Sequence, residues 1–338
     1  MLHWEIMGLR AALALLMLVG AALATVVGWE ALTPAPALQR GTVIVEIPAH
    51  DSVLSIAGRL YRAGGIRTRT GFVFLAVARG TSGHLKAGEY ELERGASTLT
   101  VLGQLEAGRV KQHIVLHPEG ATLSELAKVL EADRLASSEA VRRLATSPAF
   151  LSTLGIEGPS LEGYVFPDKY QFVRGMTPEE ILTKMVQRLR AKLGPDITAR
   201  AAERGLTVHQ LLTLASIIER EAVERGEQRT ISAVFWNRLK LRMPLQADPT
   251  VQYATGKERR ALTRADLRAD HPYNTYRNAG LPPGPIASPG IAAIEAALDP
   301  APVKYLYFVA MDDTHHHFST TIGEHNAAVA RYRLARAR

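Results

Sequence analysis

The chain has 338 residues, of which 47% are hydrophobic, enough for roughly two or three modest domains. It contains no cysteine, which excludes disulfides, thiolate metal sites and a cysteine nucleophile. The formal net charge is +7, but the basic residues are spread along the chain, so we expect no nucleic-acid partner. This balance favours an anionic lipid surface or a polymer that carries carboxylates.

An uncharged run from Ala11 to Trp29 dominates the N-terminus. Its length suits a helix that crosses a hydrocarbon core. Arg10 precedes the run and the next basic residue is Arg40, which favours a cytoplasmic N-terminus. Small residues near Ala24 are the alternative sign of a cleaved signal peptide. We therefore predict a cytoplasmic stub and transmembrane helix at residues 1–32, with the bulk of the chain on the extracytoplasmic side.

A proline-rich linker at residues 33–40 leads into a region of alternating short strands and helices, residues 41–117. This alternation predicts a small α+β module with an apolar core. The predicted strands are Thr42–Ile47, Gly88–Leu92 and Val110–Leu116, and the predicted helices are Ser52–Ala63, Thr70–Arg79 and Thr98–Glu106.

The remainder, residues 118–338, is mostly helical in pattern. Proline and acids in the first turn mark the start of a helix at Pro178–Leu193. Shorter helices are predicted at Leu123–Leu130 and Ser138–Leu144, and a strand at Lys304–Ala310. The predicted fold class is α+β: an N-terminal transmembrane helix, the small α+β module, and then a mostly helical α+β domain.

The most informative stretch runs from Leu211 to Tyr253, where an apolar helix continues into a cluster of acids and then a polar loop. At 100° per residue, Glu219 lies roughly 80° to one side of the apolar stripe and Glu221 roughly 80° to the other. Partial burial at this border would raise a carboxyl pKa and keep a proton available near neutrality. Periodicity does not choose between the two acids. The alternative is an ordinary polar helix face on which they pair with Arg220 and Arg225.

Several long motifs resemble, in the same order, those of the endolytic murein transglycosylases of the YceG-like (MltG) family. The likeness covers nearly the whole chain. The motifs are LEGYVFPD at Leu161–Asp168, LASIIERE at Leu214–Glu221, VFWNRL at Val234–Leu239, MPLQADPTVQY at Met243–Tyr253, YNTY at Tyr273–Tyr276, GLPPGPI at Gly280–Ile286, and YLYFV at Tyr305–Val309 with HFS at His317–Ser319.

The resemblance implies a single-pass protein of the inner (plasma) membrane. It implies a LysM-like module at residues 41–117 and a catalytic transglycosylase domain at residues 118–338, which would be periplasmic or otherwise extracytoplasmic. The implied activity is that of a lyase, which cleaves MurNAc–GlcNAc β-1,4 bonds within nascent glycan strands and so terminates their elongation. One glutamic acid protonates the glycosidic oxygen and then takes a proton from the MurNAc C6 hydroxyl, which closes a 1,6-anhydro ring. Peptidoglycan glycan strands and peptidoglycan synthases are the implied partners, and no cofactor is expected.

The resemblance also implies site residues. In lytic transglycosylases the catalytic glutamate is commonly followed by a small residue. Glu221 precedes Ala222, so we assign Glu221; Ala222 departs from the usual Ser or Thr, so Glu219 stays open. The expected substrate-binding residues are polar or aromatic, although loop packing or orientation of the helix would also explain them. They are Gln246, Asp248, Thr250, Tyr253, Asn237, Tyr273, Asn274, Tyr276, Glu162 and Tyr164.

Three other readings compete with this one. Adjacent histidines at 315–317 point in alternating directions and no second ligand set has matching spacing, so we expect no metal. A non-catalytic glycan-binding scaffold would keep the module and lose the acid, yet Glu219 and Glu221 are both present. A hydrolytic muramidase would use water and leave no 1,6-anhydroMurNAc ends.

Overall fold

The computed structural model describes residues 2–34, 41–257 and 260–336. The chain divides into two compact units, one of residues 1–113 with 173–175 and one of residues 114–172 with 176–338. The first unit therefore ends shortly before the boundary that the sequence indicates at residues 117–118. In the predicted linker, Pro34 forms an isolated β-bridge with Ser97, and residues 35–40 lie outside the described residues.

The first unit combines helices with one antiparallel pair of strands. Its strands pair with Thr42 opposite Glu93 and Ile47 opposite Gly88. Each predicted element of this unit is found within about two residues of its expected ends. The elements are α1 (Leu2–Leu32), β1 (Thr42–Ile47), α2 (Val53–Arg62), α3 (Arg69–Ala78), β2 (Gly88–Glu93) and α4 (Thr98–Ala107).

Local chemistry accounts for these short helices. The hydroxyls of Ser52, Thr68 and Ser97 each accept a hydrogen bond from a backbone N–H in the first turn of the helix that follows. Gly108 ends α4 in the left-handed conformation, with φ 68°. The core beneath the helices includes the fully buried ring of Tyr90, whose hydroxyl donates to the Lys86 carbonyl at 2.7 Å.

The predicted transmembrane helix is wrong. Among residues 2–34, 41–257 and 260–336, no helix is both long and apolar enough to cross a membrane. The prediction depended on a run of uncharged residues, which the structure places within α1. The C-terminal end of α1 packs against α3 and α4 in the first unit, where Ala31 is buried and the Arg67 guanidinium lies 4.1 Å from the centre of the Trp29 ring.

The second unit is mainly helical, as predicted for this part of the chain. Two small sheets accompany its helices: β3 pairs with β4, and β5 pairs antiparallel with β6. The elements are β3 (Gln112–His117), α5 (Leu123–Ala132), α6 (Ser138–Ala145), α7 (Pro148–Thr153), β4 (Asp168–Val173), α8 (Pro178–Leu193), α9 (Ile197–Glu203), α10 (Val208–Glu221), α11 (Gln228–Lys240), α12 (Asp248–Thr255), α13 (Ile291–Leu298), β5 (Tyr307–Ala310), β6 (His316–Ser319) and α14 (Ile322–Arg336).

Helix α10 lies at the centre of the second unit. It packs against α9, α11, α12 and α13, and every residue from Leu211 to Ile218 is buried. The single apolar stripe predicted from the sequence is therefore too narrow, because the helix is covered on all sides. Two polar side chains are tolerated because they bond to backbone: the hydroxyl of Thr213 donates to the His209 carbonyl and that of Ser216 to the Thr213 carbonyl, both at 2.7 Å.

The segment expected to be a polar loop, Leu245–Thr250, is only partly a loop. Helix α12 begins at Asp248, with Pro249 in its first turn. Proline is favoured there because the first turn of a helix has no intrahelical partner for its backbone N–H groups. Asp248 is consequently held at a helix N-terminus, where a negative charge is stabilised.

Candidate active site

Helix α10 ends at a cleft and carries two acids there. Glu221 is its last residue, and Ala222 leaves the helix in an extended conformation, with φ −81° and ψ 109°. Glu219 and Glu221 are only half-buried, whereas the residues before them are covered. The buried part of α10 thus anchors the helix while its last turn presents the acids.

The cleft has a volume of about 670 Å³ and is predominantly polar. Four carboxylic acids and two arginines contribute to its walls, the remainder being small or apolar residues and one glutamine. The lining residues are Glu119, Gly120, Glu219, Arg220, Glu221, Val223, Asp248, Pro249, Gln252, Arg260 and Ala261. All belong to the second unit.

The Glu221 carboxyl is available for chemistry. Within the described residues, no hydrogen bond or ion pair to this carboxyl is found. Burial and, to a smaller extent, the nearby charge of Asp248 raise the pKa of Glu221 to about 8, against the opposing effects of Arg238 and Arg220. Glu221 is therefore mainly protonated at neutral pH and can donate a proton.

Glu219 lies in the same turn but is held by the protein. The backbone N–H of Gly290 donates to its Oε2 at 3.0 Å. Burial raises the pKa of Glu219 and this hydrogen bond lowers it. The Glu119 side chain also lies against Gly290, and it forms an ion pair with Arg225. Glu219 thus connects α10 to the residues before α13, so geometry distinguishes the two acids that periodicity left equivalent.

Asp248 faces Glu221 from the start of α12. Its side chain is exposed, and its Oδ1 accepts a 2.6 Å hydrogen bond from the hydroxyl of Tyr276. Burial raises the pKa of Tyr276, and the bond to Asp248 raises it further, so the phenol stays a donor throughout the physiological range. Two of the predicted substrate-binding residues are thereby joined at the cleft.

Asn237 and its neighbour Arg238 serve to connect elements. The Asn237 amide donates to the carbonyls of Val303 and Tyr305, each at 3.0 Å. Arg238 is buried; its Nε donates to the Leu306 carbonyl at 2.7 Å and its Nη1 donates to the Leu245 carbonyl at 2.6 Å.

Two other predicted binding residues are fully buried. The hydroxyl of Thr250 donates to the Ala247 carbonyl at 2.7 Å and lies 2.8 Å from that of Thr275. The Asn274 amide donates to the carbonyls of Leu267 and Ala269, and its oxygen accepts from the backbone N–H of Tyr276. These side chains shape the segments that carry Asp248 and Tyr276.

Gln246 and two of the predicted tyrosines lie around this region. Gln246 is exposed, with φ 50°, and its backbone N–H donates to the Thr275 carbonyl. The rings of Tyr253 and Tyr273 are in contact, with centroids 5.0 Å apart. Burial raises the pKa of Tyr273 to about 12.

The structure does not bring Glu162 and Tyr164 to the walls of this cleft. Glu162 is buried and accepts hydrogen bonds from the backbone N–H of Leu123 at the start of α5. Tyr164 lines a different cavity of about 310 Å³, where its hydroxyl lies 2.8 Å from Nδ1 of His209. The His209 Nε2 in turn donates to the Pro283 carbonyl at 2.8 Å. Through His209 of α10, these contacts connect two of the family motifs, Leu161–Asp168 and Gly280–Ile286, away from the carboxylates.

The three histidines at 315–317 form no shared site. Nδ1 of His316 lies 2.7 Å from Glu227 Oε2, and the His317 ring packs against Tyr332. In the part of the chain that the structure describes, no group of three or more His, Cys, Asp or Glu side chains is arranged to hold a metal ion.

Sequence reasoning missed Glu119 and Arg260, which line the cleft. Both are charged residues in loops, where charge alone indicates nothing more than a solvated surface. Backbone hydrogen bonds between the segment after Glu119 and Ser288 place Glu119 at the cleft. The N–H of Gly120 donates to the Ser288 carbonyl at 2.8 Å, and the N–H of Ser288 donates to the Ala121 carbonyl at 2.9 Å. No spacing in the sequence signals these contacts.

The fold and the cleft together describe an α+β protein with a protonated acid at the end of a central helix, a class of site suited to general acid–base chemistry. The model of the YceG-like family matches residues 45–331, so the chain belongs to that family. The resemblance seen in the sequence motifs is confirmed.

Characterised relatives match over most of the chain. The endolytic murein transglycosylase of Bacillus subtilis (strain 168) is 35% identical over 321 residues, covering 90% of this chain and 89% of that protein. That of Streptococcus pneumoniae serotype 2 is 33% identical over 83% of this chain, which spans only 56% of that protein. The crystal structure of a YceG-like protein from Listeria monocytogenes matches with a TM-score of 0.60 and 34% identity, covering 85% of this chain and 98% of that one.

Proposed function

We propose that this protein is an endolytic peptidoglycan transglycosylase, a lyase that cleaves the MurNAc–GlcNAc β-1,4 bond and leaves 1,6-anhydroMurNAc ends. The observation that supports this most directly is Glu221: a protonated carboxyl, with no partner among the described residues, in a polar cleft. The names of the Bacillus and Streptococcus relatives support the same class of reaction.

Glu221 acts first as an acid in the proposed reaction. Its proton passes to the glycosidic oxygen as the bond from that oxygen to MurNAc C1 breaks, and GlcNAc leaves with a free 4-hydroxyl. The MurNAc C6 hydroxyl then attacks C1 and gives its proton to the Glu221 carboxylate. The new C1–O6 bond closes the 1,6-anhydro ring and the acid is regenerated. Because the nucleophile belongs to the substrate, its effective concentration is high and no enzyme nucleophile is required.

The neighbouring charges suit both halves of this cycle. The negative charge of Asp248 disfavours ionisation of Glu221. It therefore keeps Glu221 protonated before the reaction and favours its reprotonation afterwards. Arg238 and Arg220 counteract this, so the carboxylate remains accessible as an intermediate state. A group with a pKa near the working pH can both give and take a proton efficiently.

Further parts of the proposal follow from the substrate. Peptidoglycan lies outside the cytoplasmic membrane, so the protein acts in an extracytoplasmic compartment. Cleavage of nascent strands would terminate their elongation and place the enzyme beside peptidoglycan synthases. The cleft lined by acids belongs to the second unit, so we assign bond cleavage to that unit. We assign glycan engagement to the LysM-like first unit.

The test is analysis of glycan digested by the purified wild-type, Glu221→Gln and Glu219→Gln proteins. Glutamine keeps the shape of glutamate but cannot donate and reclaim a proton, so Glu221→Gln should reduce cleavage by about a hundred- to ten-thousand-fold. Glu219→Gln should retain substantial activity, because its contact is structural. Reducing MurNAc ends in place of anhydro ends would indicate a hydrolytic muramidase, and binding without cleavage by the wild type would indicate a glycan-binding scaffold.

A further inference from the structure

The loop that follows α12 presents an arginine to the cleft. Arg260 lines the cleft, is exposed, and its guanidinium makes no hydrogen bond or ion pair within the described residues. The other arginine of the cleft wall, Arg220, is already engaged, because it donates to the Gly120 carbonyl at 3.1 Å. Among the described residues of this wall, Arg260 is therefore the cation that is available to a ligand.

Hydrogen bonds to α12 and to Lys257 fix the backbone of Arg260. The side-chain amide of Gln252, on α12, donates to the backbone carbonyl of Arg260 at 2.8 Å, and the Arg260 N–H donates to the Lys257 carbonyl at 3.0 Å. Further along, Lys257 pairs with both oxygens of Asp266, at 2.8 and 2.9 Å, and Asp266 also accepts from Thr263. The backbone that carries the Arg260 side chain is thus fixed against the cleft.

The charges of the cleft are separated along α12. Asp248 and Glu221 lie at the start of the helix, and Gln252 stands one turn further on, about 6 Å along the axis. The backbone of Arg260 is bonded to Gln252, one turn from Asp248. An anionic substituent of the substrate would be repelled by Asp248 and attracted towards Arg260.

We propose that Arg260 binds a carboxylate of the peptide stem carried by the glycan in this cleft, and so makes the enzyme prefer strands whose stem carboxylates are free over strands in which they are amidated. This inference rests on the proposed function, which supplies a polymer of neutral sugar rings whose only anionic groups near the cleft are the stem carboxylates. A planar guanidinium matches a carboxylate with two parallel hydrogen bonds, and such charge-assisted bonds give specificity as well as affinity.

The test compares two substrates: soluble stem-bearing glycan strands, and the same strands after carbodiimide coupling has converted their stem carboxylates to methylamides. Arg260→Ala in the full chain should lower kcat/KM for strands with free carboxylates about five- to tenfold, mainly through KM, and leave kcat/KM for the amidated strands unchanged. Arg260→Lys should be intermediate, because the ammonium keeps the charge but loses the paired geometry. Arg264→Ala, an exposed arginine of the same loop outside the cleft wall, is the matched control and should behave as wild type.

Binding to the Glu221→Gln protein separates this inference from the proposed chemistry. In that background Arg260→Ala should weaken binding of strands with free stem carboxylates and not of amidated strands, whether or not the wild type cleaves either. An equal loss on both substrates, or no loss on strands with free carboxylates, would overturn the role of Arg260. Failure of the wild-type protein to cleave either substrate would overturn the proposed function while the binding comparison still decides the carboxylate site.

Discussion

The hydroxyl of Tyr276 and the carboxylate of Asp248 are joined by a 2.6 Å hydrogen bond, although 28 positions separate them in the chain. Asp248 is exposed, so this bond is what restricts its orientation at the cleft. The pair is positioned by buried neighbours: Asn274 accepts from the backbone N–H of Tyr276. A tyrosine hydroxyl thus orients an acid of the cleft.

Removal of that hydroxyl should impair activity while the fold is retained. We expect Tyr276→Phe to lower kcat/KM by about one order of magnitude, because a hydrogen bond to a charged group is lost. Its melting temperature should change little, since the pair lies at the surface of the cleft. The measurement is cleavage of peptidoglycan strands by both proteins, with Tyr61→Phe in the first unit as the control. Full activity of Tyr276→Phe would mean that Asp248 does not need to be held.

The pH profile should report the protonation of Glu221. Because the acid form is required, kcat/KM should fall on the alkaline side at about pH 8. The charge of Asp248 raises the pKa of Glu221, so Asp248→Asn should lower that pKa and move the alkaline limb to lower pH. Asp270→Asn, at a highly exposed position, should leave the limb in place. A limb that moves upward in Asp248→Asn would contradict the electrostatic account.

The free energy of unfolding should decrease when the pH is lowered, because of a buried histidine. Burial lowers the pKa of His117 to about 4, against an opposing effect of Glu125, and its Nε2 lies 2.8 Å from the Ser288 hydroxyl. Between about pH 6.5 and 4 the unfolded chain binds a proton at this position and the folded chain does not. Stability is therefore lost as the pH falls through this window, by about 2–3 kcal/mol between pH 7 and pH 4.5.

Urea unfolding at these two pH values checks this expectation. His117→Asn should show a smaller loss of unfolding free energy between pH 7 and pH 4.5 than the wild type, whatever its absolute stability. His84→Asn, at an exposed position, should keep the wild-type pH dependence. Identical pH dependence in wild type and His117→Asn would show that another group is responsible.

Gly163, in the motif Leu161–Asp168, should not tolerate a larger residue. Gly163 has φ 79°, and a Cβ at this position would overlap the ring of Pro285. We expect Gly163→Ala to destabilise the fold by about 2–4 kcal/mol, from backbone strain and overpacking together. Gly323→Ala in α14 meets no atom within 4 Å and should be neutral or slightly stabilising. Denaturant unfolding measures both, and a stable Gly163→Ala would show that the Pro285 loop can shift.

Much of the local structure can be predicted from the sequence because it depends on nearby residues. The helix Pro178–Leu193 begins and ends as predicted, since Thr177 and Glu180 form a capping box and Gly194 follows the last turn. The two acids at the end of α10 are likewise indicated by local pattern. The transmembrane prediction was wrong because the uncharged run was considered without the contacts that its C-terminal end makes in the first unit.

Only the tertiary structure distinguishes the residues of the cleft. Gly290, 71 positions away, donates a hydrogen bond to Glu219, whereas Glu221 has no hydrogen-bond or ion-pair partner among the described residues. Helical periodicity does not predict this difference. Tertiary contacts also place Arg260 on the cleft wall and direct Tyr164 to a separate cavity. Local sequence determines which residues can form a helix or a cap, because those interactions span a few positions; burial and charge at a site depend on segments that meet only when the chain folds.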